Sequence, residues 1–141
     1  MASDSDDSLL AEATKARLHA AAQISGFQVG AALETGSGRI FSGCNIENVS
    51  LGLTVCAERV ALWKALSEGE RAFSKIVVVT DADTPAPPCG ACRQLLWEYC
   101  GDVPIMLHSR GQTRTMQLSE LLPLPFDRRY LSTGKPDSLI S

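Results

Sequence analysis

Lys75-Ile76-Val77-Val78-Val79-Thr80 is a continuous apolar, mostly β-branched run. Such a run marks a strand buried on both faces, which requires a layer of structure above it and another below. A helical pattern lies on each side of it. Upstream, a helix is predicted from residue 55 or 56 to 68, with Val60, Leu62, Trp63 and Leu66 as apolar positions and Gly69 as its stop. Downstream, a proline-rich loop over 81–88 leads into another helix, predicted from Gly90 to about Cys100.

Further out, residues 8 to about 22 read as an amphipathic helix, with Leu9, Ala13, Ala16 and Ala20 at three- and four-residue intervals and Asp7 or Ser8 as its cap. Residues 27–33 and 39–46 flank the Gly36-Ser37-Gly38 turn and form a predicted hairpin. Two more strands are predicted at 103–108 and 113–118, followed by a helical turn at 119–122. Helices set between strands define a layered α/β domain with a mixed sheet. The acidic start, 1–7, is expected to be disordered, residues 8–131 to form a single domain, and the polar tail, 132–141, to be loose.

A chain of 141 residues is long enough for one well-packed core. The formal net charge is −3, and Arg128-Arg129 is the only adjacent basic pair, so long nucleic acid is not an expected partner. No apolar run approaches the ~20 residues of a membrane span. The acidic start does not resemble a secretory signal, and the expected location is the cytosol. Five cysteines in a reducing compartment point to metal binding or catalysis rather than to disulfides.

Three of those cysteines fall where helices are predicted to begin. Cys89 and Cys92 are one helical turn apart after Pro88, and Cys56 heads the earlier helix in Cys56-Ala57-Glu58-Arg59. Three thiolates can hold a zinc ion and leave its fourth position open for water. Residues two apart on a helix point in different directions. Cys56 and Glu58 can therefore meet at one ion only if Cys56 stands at the helix entrance. Zinc with three thiolates carries a net negative charge, and Arg59 and Arg93 are the candidates to offset it. A redox Cys-x-x-Cys pair would leave Cys56 and Glu58 without a role. A structural zinc site would need a fourth ligand from Cys44, Cys100, His19 or His108.

Taken together, Phe27-x-Val-Gly-Ala-Ala, Gly43-Cys-Asn45-Ile-Glu47-Asn, Cys56-Ala-Glu-Arg59 and Pro88-Cys-Gly-Ala-Cys-Arg-Gln94 resemble the cytidine deaminase family of the small, three-cysteine zinc type. The likeness runs from about residue 9 to Phe126. It implies a three-layer α/β/α sandwich with a five-stranded mixed sheet. It also implies zinc-dependent hydrolysis of cytidine and deoxycytidine to uridine and deoxyuridine, a reaction of pyrimidine salvage. By the same resemblance Cys56, Cys89 and Cys92 hold zinc and Glu58 moves protons. Asn45 and Glu47 bind the ribose 3′-hydroxyl, the Ala57 backbone N–H meets the base carbonyl, and Phe27 lies near the nucleoside. Phe126 is matched to an aromatic that a neighbouring subunit lays against the base in a homotetramer. Two positions depart from the family pattern: Ile24 stands where a tyrosine is frequent, and Leu51 where an aromatic is frequent. The alternatives are a deaminase of another aminated nucleoside or base analogue and a zinc-stabilised binding module.

Overall fold

The structure is a computed structural model and describes residues 4–131. The tail expected to be loose, 132–141, and the first three residues lie outside the described residues. The apolar run seen in the sequence is the centre of the sheet. It forms β3 (Phe73–Thr80), which pairs antiparallel with β1 (Gly30–Thr35) and parallel with β4 (Pro104–Ser109). The hairpin partner β2 (Ile40–Cys44) and the edge strand β5 (Gln112–Gln117) complete a mixed sheet in the order β2-β1-β3-β4-β5.

Alternation along β3 explains why its apolar run has no polar gaps. Ile76 and Val78 face α2 (Ala57–Ser67) and α3 (Gly90–Cys100), in a core with Ala61, Leu62 and Leu96. Val77 and Val79 face the opposite way, in a second core with Leu9 and Ala13 of α1 (Asp4–Arg17). Three layers result, α1 on one side and α2 with α3 on the other. A short helix α4 (Leu118–Leu121) closes the first of these cores, beside α3. Two glycines set the layer spacing. A β-carbon on Gly30 would stand 2.0 Å from the Ala13 carbonyl oxygen of α1, and one on Gly43 would press into α2.

Helix α1 differs from expectation at both ends. Residues 4–7 are helical, not disordered. Acidity suggested a solvated tail, but Asp4, Asp6 and Asp7 in the first turn favour the positive end of the helix dipole. The sheet also holds them, since Ser5 donates to Glu34 and Lys75 pairs with Asp6. At the other end the helix stops at Arg17 rather than near 22, because the Ala21 backbone bonds both Asn45 and Glu47 instead. The first strand begins at Gly30 rather than 27 for a related reason. The Asn45 side chain takes the place of a ladder partner there, accepting from the Val29 N–H and donating to the Phe27 carbonyl, each at 2.8 Å.

Candidate active site

Cys56 caps α2 in an extended conformation, and its carbonyl accepts the first helical bonds from Arg59 and Val60. Cys89 caps α3 in the same way, its carbonyl accepting from Arg93 at 2.9 Å. The two helix entrances converge, and Cys92 on the first turn of α3 faces them. The Cys56 and Cys89 sulfurs are 3.9 Å apart, and all three sulfurs lie within 4.8 Å of one another. Among the described residues this is the only cluster of three His, Cys, Asp or Glu side chains able to hold a metal ion. Cys44, Cys100, His19 and His108 do not join it, so nothing among the described residues supplies a fourth ligand.

The donor set suits zinc on chemical grounds. Thiolates this close repel. A hydrogen bond from Cys92, with help from Arg59, holds the Cys56 thiol down to about 5. The same bond, burial and the Glu58 carboxylate push Cys92 up. A divalent, thiol-seeking cation among three sulfurs relieves that conflict, and both helix N-termini favour thiolate.

Glu58 is 4 % exposed, and burial pushes its carboxyl up to about 7, with the Cys56 thiolate adding to the effect. Ala57, the first residue of α2, is fully buried beside it, and its N–H has no partner within the helix. Arg59 Nη2 lies 3.4 Å from the Cys56 sulfur, while its buried Nε has no partner among the described residues. Arg93, the other candidate for charge compensation, is engaged elsewhere. Its guanidinium donates to the Pro88 carbonyl at 2.8 Å and the Leu121 carbonyl at 2.9 Å, bracing the entry to α3.

Cys56, Ala57, Glu58 and Cys89 line a cavity of about 290 Å³, small but suited to a compact ligand. Phe27, Asn45 and Glu47 line it too, and Thr80, Ala86 and Pro87 complete its lining. Neither Ile24 nor Leu51 is part of the lining. Phe126 is also outside it. The residue is 61 % exposed, its ring is stacked on Tyr130 with centroids 5.8 Å apart, and its carbonyl is held by Gln94 of α3. The sequence offered no sign of the wall at Thr80, Ala86 and Pro87, since loop residues carry no periodicity. It gave equally little sign of the part played by Ser25, which also lines the cavity and whose hydroxyl donates to Glu47.

A three-layer α/β/α domain with a three-thiol centre and a buried carboxyl beside it defines the class of zinc-binding hydrolytic sites. The family model for the cytidine and deoxycytidylate deaminase zinc-binding region matches residues 3–107. The chain belongs to the cytidine and deoxycytidylate deaminase family. It is 50 % identical over 120 residues to a cytidine deaminase of Halalkalibacterium halodurans, covering 84 % of this chain and 91 % of that relative. A cytidine deaminase of Sporosarcina psychrophila is 44 % identical over 128 residues, covering 89 % of this chain and 94 % of the relative. The crystal structure of a cytidine deaminase from Burkholderia pseudomallei superposes with a TM-score of 0.82 at 44 % identity, covering 85 % of this chain and 98 % of that one.

Proposed function

We propose that this chain catalyses the zinc-dependent hydrolytic deamination of cytidine and deoxycytidine to uridine and deoxyuridine, releasing ammonia. The observation that carries this reading is a cluster of three sulfurs, two of them, on Cys56 and Cys89, bordering the same cavity as the buried Glu58 carboxyl. Cys56, Cys89 and Cys92 would hold zinc. When bound, zinc supplies Lewis acidity that makes a water reactive near neutral pH.

The remaining work falls to the protein. Glu58 accepts a proton from the attacking water and delivers it to ring N3, which makes C4 more electrophilic. It then carries the second proton to the exocyclic nitrogen as the C4–N bond breaks and ammonia leaves. One group acting as base and then acid operates best with a pKa near the working pH, and burial supplies that shift. The Ala57 N–H donates to the base carbonyl, and Arg59 offsets the negative charge of the sulfur cluster. Phe27 packs against the nucleoside, and Asn45 with Glu47 takes a ribose hydroxyl. That pair favours a sugar-bearing substrate over a free base.

The assembly we propose is a homotetramer in the cytosol, serving pyrimidine salvage. The exposed Phe126, which is not part of its own cavity's lining, is then the aromatic that a neighbouring copy receives against the base. Free thiols at all five cysteines fit a reducing compartment. The test is ultraviolet absorbance on mixing zinc-loaded protein with cytidine, deoxycytidine and cytosine. Loss of the cytidine and deoxycytidine bands with release of ammonia is the expected result. Unchanged spectra with both nucleosides would overturn the reading.

A further inference from the structure

We infer that Ser25 is a positioning residue that fixes how the cavity recognises the sugar of its substrate, an inference that rests on the nucleoside reading above. Glu47 Oε1 accepts the main-chain N–H groups of Ile24 and Ser25, each at 2.9 Å. The Ser25 hydroxyl donates to the other carboxylate oxygen, Oε2. That hydroxyl in turn accepts the Phe27 main-chain N–H at 3.0 Å. A single side-chain oxygen therefore ties the carboxylate that borders the cavity to the backbone of the aromatic that borders it.

Donor and acceptor capacity decides the role. A serine hydroxyl has one proton, and that proton is committed to Glu47, so Ser25 acts on substrate through Glu47 rather than by its own donation. A carboxylate offers about four acceptor positions. Two N–H groups and one O–H occupy three of them, which leaves room for one substrate hydroxyl in a fixed direction. The same contacts keep Glu47 ionised, the Ser25 hydroxyl being the chief cause of its lowered pKa. Ile24 contributes only its backbone N–H here, and its departure from the family's tyrosine leaves the contact intact.

The experiment compares cytidine with 2′,3′-dideoxycytidine, which lacks both ring hydroxyls, using wild type, Ser25→Ala and Ser25→Thr. Ser25 is exposed, so neither substitution disturbs the core. In Ser25→Ala, KM for cytidine should rise about tenfold with kcat little changed, the loss of a hydrogen bond to a charged group. KM for the dideoxy analogue should not move, and Ser25→Thr, which keeps the hydroxyl, should restore the difference between the substrates. A loss that falls equally on both substrates, or no loss on cytidine, overturns the inference alone. A wild type inactive on both nucleosides overturns the functional reading, and this inference with it.

Discussion

Gly43 and Ala61 meet backbone to backbone, since a β-carbon at Gly43 would stand 2.6 Å from the Ala61 amide nitrogen and 2.7 Å from the Ala57 carbonyl oxygen. Helix α2 is pressed onto β2 at that point, and the start of α2 carries Cys56 and Glu58. Gly43→Ala should push the helix outward and cost roughly 1–3 kcal/mol, as overpacking does. Thermal denaturation should show the lower midpoint and zinc titration a weaker affinity. A variant with wild-type melting and zinc binding would contradict this account of the packing.

Glu58→Gln preserves the size of the side chain and removes its ability to take a proton. The variant should retain zinc and melt normally. Proton transfer by a positioned group contributes roughly 10²–10⁴-fold, and a residue that serves twice should cost at least the upper figure. Metal analysis and an ultraviolet cytidine assay on the same sample separate the two effects.

Arg59→Gln withdraws the guanidinium from the Cys56 sulfur. Zinc should stay bound while turnover falls, because an uncompensated anionic cluster is a poorer acid toward water. Equal turnover in variant and wild type would remove Arg59 from the mechanism.

Chelation should expose the sulfurs selectively. Cys89 is the exposed member of the trio, whereas burial pushes Cys100 up to about 12 and keeps it an unreactive thiol. Alkylation followed by mass mapping should therefore label Cys89 quickly after chelation and slowly when zinc is restored. Cys100 should stay unlabelled in both states.

Acid should loosen the start of α1 ahead of the rest of the molecule. Glu34 has its carboxyl lowered from 4.5, first by the Ser5 hydroxyl and then by Ser74. The stabilisation is complete above the unfolded value of 4.5 and disappears as pH falls through the lower folded value. Protection of the Asp4–Arg17 amides, corrected for the intrinsic pH dependence of exchange, should fall on acidification through that window, and Glu34→Gln should weaken that fall.

Much of the fold was legible in the sequence because the sheet is simple. The uninterrupted run 75–80 could only be a central strand, and the spacing of Cys89 and Cys92 placed both on one helical turn. The need for Cys56 to stand at a helix entrance followed from its two-residue distance to Glu58, and Cys56 is the cap of α2. What escaped was set by contacts between distant segments. The acidity of residues 4–7 reads as solvated until Glu34 and Lys75 are placed beneath them. Arg93 follows a predicted ligand even more closely than Arg59 does, yet its donors go to the Pro88 and Leu121 carbonyls. No local pattern distinguishes those outcomes.

The lining of the cavity runs from Ser25 to Cys89, and Cys92 follows three residues later. Strands β4 and β5 come after all of it. During synthesis, the whole cavity lining and the three-sulfur cluster thus leave the ribosome before the strand that covers the second edge of β3. A nascent chain halted near residue 100 would hold every residue that lines the cavity and all three clustered sulfurs, and lack the neighbour that pairs with one edge of its central strand.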